Sequence, residues 1–157
     1  MKKFTKDEIE GARTYFKNQG FQEMDVSLGS WKFSYFVVPQ SLEPNLNNFV
    51  LRLTGESNEG YVLGISDSVE ERFRQYAVAH EFIEFTEIGI DSPNRCVRAL
   101  EEELNLVPKD IKPAYVKMRR DFFRDLISYC SEQPQFYTPN DLAQFKNNLE
   151  RLEELVK

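Results

Sequence analysis

The hydrophobic pattern changes once along the chain, and this change constrains the fold more than any other feature. Before residue 67, three segments rich in aromatic and β-branched residues and bounded by Pro, Asn or Gly predict β-strands: SWKFSYFVVP, NNFVLRLTG and GYVLGIS. From Ser68 onward, apolar residues recur every three or four positions, as is typical of helices. We therefore predict an α+β fold, in which a small, mainly antiparallel sheet packs on helices and the C-terminal half is helical.

The chain has the size and composition of one folded domain. Its 157 residues are 41% hydrophobic and 29% charged, which allows a core and argues against disorder. We expect residues 1–107 to form the α+β core and residues 108–157 to form a helical C-terminal subdomain of the same domain.

Capping patterns mark the helix boundaries. TKDE at residues 5–8 is a capping box, and the helix that it begins should run to about Asn18. SVEE at residues 68–71 has the same pattern, and we expect a long helix from there to about residue 88. Three further helices are predicted to begin near Pro93, Ala114 and Pro139.

Net charge and composition exclude some classes of partner. The formal charge of −6 disfavours a general binder of nucleic acid or of anionic membranes, because both require a positive surface. One basic cluster is interleaved with acidic residues and is interpreted as a solvated helix face; it comprises Lys117, Arg119, Arg120 and Arg124.

The segments typical of export or membrane insertion are missing from the sequence. No apolar run approaches the roughly 20 residues of a membrane span, and the first residues lack the apolar stretch of a signal peptide. We therefore expect a cytoplasmic protein. Cys96 and Cys130 form no close pair in sequence and are interpreted as reduced, partly buried thiols.

One short stretch, YAVAHEFIEF, carries the main functional signal. His80 and Glu84 are four residues apart in a segment predicted to be helical, so their side chains lie one turn apart on the same face. The same spacing of two histidines lets the HExxH motif bind zinc, with the intervening glutamate acting as general base. Here Glu81 is the intervening residue, and His80 is the only histidine of the chain.

A strand hairpin followed directly by a helix with this motif resembles the core of the zincin metallopeptidases, of the gluzincin kind. The small intracellular ImmA/IrrE-like type is nearest in size, and the resemblance covers roughly residues 45–105. It implies a metal site with His80 and Glu84 as ligands and a glutamate of the next helix as the third. The family's spacing indicates Glu103, whereas the helical period favours Glu101, which lies on that helix's apolar face.

The resemblance also implies a chemistry. Glu81 would be the general base, or the relic of one, and the reaction would be hydrolysis of a peptide bond by metal-activated water. Zinc is the implied ion. A ligand set with two carboxylates also suits manganese or iron(II), and it should make bound water less acidic than a site of neutral histidines does.

Two functional hypotheses follow. The first is a zincin-like protein with an altered metal site, weakly active or inactive as a peptide hydrolase. The alternative is a non-enzymatic regulatory protein without a metal, in which His80 and Glu84 form a structural hydrogen-bonded pair. In either case we expect a protein or peptide partner.

Two surfaces are candidates for binding such a partner. Trp31, Phe33 and Tyr35 share one face of a strand, although core packing is the favoured interpretation. In zincin-like domains an edge strand holds the substrate, and YVLGIS would be that strand. The predicted last helix has an apolar stripe that either covers the core or docks on a partner or a second copy of the chain: Leu142, Phe145, Leu149, Leu152 and Val156.

Overall fold

The computed structural model describes residues 3–55 and 60–157, and in these ranges the chain has the predicted α+β fold. The helices are α1 (Lys6–Asn18), α2 (Glu71–Phe82), α3 (Arg95–Leu106), α4 (Lys112–Ser131) and α5 (Pro139–Val156). The strands are β1 (Glu23–Leu28), β2 (Trp31–Val38), β3 (Val50–Thr54) and β4 (Tyr61–Ser66). A short 3-10 turn spans Gln40–Leu42, and a π-helical segment, Ile83–Gly89, continues α2.

The sheet has the strand order β1-β2-β4-β3 and is mixed. The β1–β2 and β3–β4 pairs are antiparallel, as expected, but β2 and β4 at the centre run parallel. The strand β1, EMDVSL, was not among the predicted strands, because its acidic and polar residues are uncommon in strands. The expectation that YVLGIS is an edge strand is wrong: β4 lies between β2 and β3, and β3 is the edge on that side. The connector between these two strands, residues 56–59, lies outside the described residues.

The hydrophobic core lies between the sheet and the helices. Both α1 and α2 contact β4, so the first two helices cover the sheet as expected. Phe33 and Tyr35 of β2 are buried and Trp31 is partly buried against the core, in agreement with the interpretation of these residues as core packing. Ile9 in α1 and Leu152 in α5 both belong to this core, which therefore joins the two ends of the chain.

Of the two predicted capping boxes, the one at Thr5 is present and the one at Ser68 is not. Thr5 and Thr138 each accept a hydrogen bond from the backbone N–H three residues later and so begin α1 and α5. Ser68 does not cap α2, because its hydroxyl bonds to Gln40 and Asn48 instead. The long helix also changes character after Phe82, where the wider π turn replaces the α turn. No helix within residues 3–55 and 60–157 is long and apolar enough to cross a membrane.

The buried face of α5 differs from the predicted apolar stripe. Leu152 is fully buried, but the other four residues of the stripe are only partly buried against the core. The most deeply buried positions earlier in the helix are polar: Asp141, Gln144 and Asn148. Because buried polar groups need hydrogen-bond partners, this face of α5 must contact a polar region of the interior.

Gly64 in β4 offers a test of the packing between the central and edge strands. A Cβ atom at Gly64 would lie 2.9 Å from Leu51 Cγ in β3, so we expect Gly64→Ala to destabilise the fold by about 1–3 kcal/mol. Gly11→Ala is the matched control: Gly11 is exposed in α1 with nothing within 4 Å of an added Cβ, and alanine should stabilise that helix by about 0.5–1 kcal/mol. Urea unfolding measures both changes. If the clash causes the loss, adding Leu51→Ala to Gly64→Ala should cost less than the sum of the two single changes.

Candidate metal centre

Three potential metal ligands meet in the interior. His80 lies near the end of α2, Glu84 lies in the π-helical segment and Cys96 lies in the first turn of α3. His80 Nε2 is 3.0 Å from Glu84 Oε1 and 3.5 Å from Cys96 Sγ. One ligand atom from each residue lies within 4.8 Å of the other two, and all three residues are buried. We refer to His80, Glu84 and Cys96 as the His-Glu-Cys cluster.

The other nitrogen of the histidine ring faces a different carboxylate. His80 Nδ1 is 2.7 Å from Glu103 Oε1. Glu103 is fully buried and also accepts hydrogen bonds from the Tyr115 hydroxyl and from the Arg119 guanidinium, whose Nε lies 2.7 Å from Glu103 Oε2. This anion therefore joins α3 to α2 and to α4.

This arrangement places the two candidate third ligands elsewhere. Of the two alternatives, Glu103 lies beside His80, but on Nδ1 and not on the side of the ring that faces Glu84. Glu101 is 49% exposed and is paired with Arg151 at 2.8 Å, so it takes no part in the cluster. The third residue that the structure brings to His80 Nε2 and Glu84 is Cys96.

Arg119 corrects the interpretation of the basic cluster on α4. The prediction of a solvated face fails for this residue, since its side chain is 2% exposed and ion-paired with Glu103. Lys117 and Arg124 of the same cluster are exposed, in agreement with the prediction. Burial of a guanidinium is stable only with such a partner, because an unpaired buried charge is very unfavourable.

The charges of this interior shift several ionisation equilibria. Burial alone would lower the pKa of His80, but Cys96, Glu103 and Glu84 raise that pKa well above its usual range, which favours a protonated ring. Burial alone would raise the pKa of Glu103, but Arg119 and His80 hold that pKa below its usual range. Burial and the nearby Glu84 raise the pKa of the Cys96 thiol to about 11.

A second ion-paired layer lies on the far side of Glu84. Arg95 Nε is 3.1 Å from Glu84 Oε2, and Arg95 Nη2 donates to Asp141 Oδ1 at 2.9 Å. The deeply buried ion pairs of this region thus contain three cations and three anions when the ring is protonated: His80, Arg95 and Arg119 with Glu84, Glu103 and Asp141.

The polar face of α5 holds Cys96. Gln144 Oε1 accepts a hydrogen bond from the Cys96 backbone N–H at 2.8 Å. Asn148 Nδ2 donates to the Cys96 carbonyl oxygen at 3.3 Å and lies 3.2 Å from its sulfur. These contacts explain why the buried side of this helix is polar, and they fix Cys96 beside the histidine ring.

Glu81 occupies a cavity next to the cluster. The cavity has a volume of about 280 Å³, and its walls include all three residues of the cluster together with Glu81 and Arg52. Within the described part of the chain, no hydrogen bond reaches the Glu81 carboxylate. Burial and the neighbouring Glu84 raise the pKa of Glu81 to about 7.

The atoms of the cluster fit a divalent ion such as zinc. Zinc binds nitrogen at about 2.0 Å and sulfur at about 2.3 Å, which puts two tetrahedral donors about 3.5 Å apart, and His80 Nε2 and Cys96 Sγ are 3.5 Å apart. Nitrogen, oxygen and sulfur donors together favour zinc over manganese, because thiolate is a soft ligand. A metal-bound histidine usually donates its other N–H to a carboxylate, which is the position of Glu103.

Sequence reasoning missed Cys96, Tyr115 and Arg119 as parts of this region. A signal for Cys96 was present: it precedes Glu103 by seven residues, or two helical turns, so the two residues share one face of α3. A signal for Arg119 was present too: it follows Tyr115 by four residues and precedes Phe122 by three, so it lies on the apolar face of the predicted helix.

Comparisons with known proteins add no relative. No protein-family model, no curated protein and no solved structure matches the chain.

Two of the glutamates of α3, Glu103 and Glu101, provide a direct test of this geometry. Glu103→Gln would leave the buried Arg119 and His80 cations without their shared anion, and we expect it to destabilise the fold by about 3–5 kcal/mol. Glu101→Gln is the matched control, because it removes an exposed ion pair worth less than about 1 kcal/mol. Urea unfolding at pH 7 measures both. Equal, small effects would contradict a central role for Glu103.

The loss of stability in Glu103→Gln should also depend on pH in a defined direction. The folded-state pKa of Glu103 is lowered, so its stabilising contribution is present above the usual glutamate pKa of 4.5 and is lost as the pH falls through the folded-state value. The stability difference between the wild type and Glu103→Gln should therefore narrow in acid. A difference that widened in acid would contradict this assignment.

Proposed function

We propose that the protein is a zincin-like metal-binding protein in which His80 Nε2, Glu84 and Cys96 hold one divalent ion, with zinc as the preferred metal. The observation that carries this proposal is the convergence of three different donor atoms at the wall of a cavity. The cysteine takes the place that the resemblance assigns to a glutamate of the next helix. A reducing compartment, in agreement with the expected cytoplasmic location, would preserve Cys96 as a thiol.

The arrangement also supports a hydrolytic reaction on a peptide or a similar amide. The ion would supply Lewis acidity and lower the pKa of water. Glu81 lies in the same cavity and would accept a proton from the attacking water. Glu103 would hold the histidine ring in place through Nδ1, and Asn148 would hold the cysteine.

Charge balance is compatible with binding of a dication. Its ligands must be a neutral histidine and a thiolate, so binding displaces one proton from His80 and one from Cys96. Two protons leave and one dication arrives, so the net charge of the buried region stays the same.

A second candidate function is a non-enzymatic binding protein without a metal. It is favoured by the ion pairing, since both ring nitrogens of His80 already face carboxylates and the buried charges cancel. In this case the protonated ring is a structural link between α2 and α3, and function depends on a surface that binds another protein.

Metal content distinguishes the two candidates. We expect protein purified without a histidine tag, or reconstituted with zinc, to contain about one ion per chain by elemental analysis. His80→Ala and Cys96→Ser should lose it, because each removes one of three ligands. Cys130→Ser is the matched control, since Cys130 is a buried free cysteine outside the cluster. With cobalt(II), the sulfur-to-cobalt absorption band should persist in Cys130→Ser and vanish in Cys96→Ser.

The absence of bound metal in the wild type after reconstitution with zinc, manganese and iron(II) would reject the metal site and leave the second candidate. A metal retained by Cys96→Ser would reject the His-Glu-Cys cluster as the ligand set.

Glu81 separates catalysis from metal binding alone. We expect Glu81→Gln to bind the ion as the wild type does but to cleave an unstructured protein such as casein about a hundred- to ten-thousandfold more slowly, because it removes only the general base. Cleavage is followed by mass spectrometry of the released peptides. Equal cleavage by both proteins would exclude Glu81 as the base, and no cleavage by the metal-loaded wild type would favour a non-catalytic role.

A further inference from the structure

Arg52 is a cationic group in the cavity that neither candidate function uses. It lies in the middle of the edge strand β3, and its side chain lines the cavity together with Glu81 and Phe85. Its guanidinium carbon lies 4.0 Å from the centre of the Phe85 ring, and Nη1 donates to the Thr54 hydroxyl at 2.7 Å. These contacts hold the group at the cavity wall.

The partners of Arg52 differ from those of the other two arginines in the cavity. Arg95 and Arg119 are each ion-paired with buried carboxylates. Among residues 3–55 and 60–157, no carboxylate lies within the 4.0 Å of an ion pair with Arg52. A guanidinium carries five N–H donors, so Thr54 leaves most of the binding capacity of Arg52 for another acceptor.

The surroundings of Arg52 favour an anion as that acceptor. The side chain is only partly exposed, and burial lowers its pKa, while Glu81 and Glu84 oppose that shift from beyond ion-pair distance. The guanidinium stays charged because it is so strongly basic. A charge that has lost part of its hydration gains most from a charge-assisted, two-point hydrogen bond, and a carboxylate matches the guanidinium fork in shape.

We infer that Arg52 binds a carboxylate of a ligand that enters this cavity, next to an apolar side chain of the same ligand. The apolar wall is formed by Leu51, Phe122, Phe123 and Leu126. A volume of about 280 Å³ is at the small end for ligand pockets. The ligand class is therefore a short peptide, or the end of one, that carries a carboxylate and a hydrophobic residue. This site does not require a bound metal.

Small probes test the inference on the intact protein treated with a chelator. N-acetyl-leucine carries the carboxylate and the apolar side chain, whereas N-acetyl-leucinamide lacks the charge. Titrations of ¹⁵N-labelled protein should show N-acetyl-leucine shifting the amide signals of Arg52 and Glu81, with at least tenfold weaker binding of the amide.

Variants at Arg52 assign the effect to that residue. We expect Arg52→Gln to weaken N-acetyl-leucine binding at least tenfold and Arg52→Lys to weaken it less, because lysine keeps the charge but loses the fork. Arg124→Gln is the matched control: it makes the same charge change at an exposed residue outside the cavity and should bind as the wild type does. Circular dichroism checks that each variant is folded.

Equal binding of the acid and the amide, unchanged binding by folded Arg52→Gln, or no binding by the wild type would each overturn the inference. The result is separable from the metal proposal, because Arg52→Gln should retain the metal content of the wild type. If the protein bound the carboxylate but took up no metal, that result would support the Arg52 site and would reject only the metal proposal.

Discussion

The carboxylate of Glu103 is the buried anion around which the helical half of the molecule is arranged. It lies on α3, accepts from His80 on α2, and accepts from Tyr115 and Arg119 on α4. Each of these groups would be unfavourable in the interior without it, since buried polar groups and charges require partners. The orientation of the histidine ring, and with it the position of Nε2 in the cavity, therefore depends on a residue that does not face the cavity.

The parts of the fold that could be predicted from the sequence have local causes. Thr5 and Thr138 begin helices through contacts with residues three positions away, and the segments that became β2, β3 and β4 are rich in strand-forming side chains. The incorrect predictions arose where distant contacts compete with local ones. Ser68 has the pattern of a cap, but Gln40 and Asn48, more than twenty residues away along the chain, occupy its hydroxyl.

The candidate site was predictable in position but not in composition. The spacing of His80 and Glu84 indicated a pair on one helix face, and either Glu103 or Glu101 was expected beside them; the structure places Glu103 there. Which nitrogen of the ring faces which carboxylate depends on how three helices pack, and no spacing in one chain encodes that. The packing of these helices also places Cys96 Sγ, sixteen residues from His80 in the chain, 3.5 Å from Nε2, and it makes Arg119 one of the most deeply buried residues.

The contribution of α5 has a consequence for the order of events during synthesis. The side chains of this helix form hydrogen bonds with Arg95 and Cys96, which lie 46 to 52 residues earlier in the chain; they are Asp141, Gln144 and Asn148. A chain growing on the ribosome can therefore form the sheet and α2 well before the polar groups around Cys96 acquire their partners. Until α5 docks, the thiol and the backbone at Cys96 lack the contacts that fix them, so a nascent chain would carry the histidine and its carboxylates before it could present an ordered sulfur atom to them.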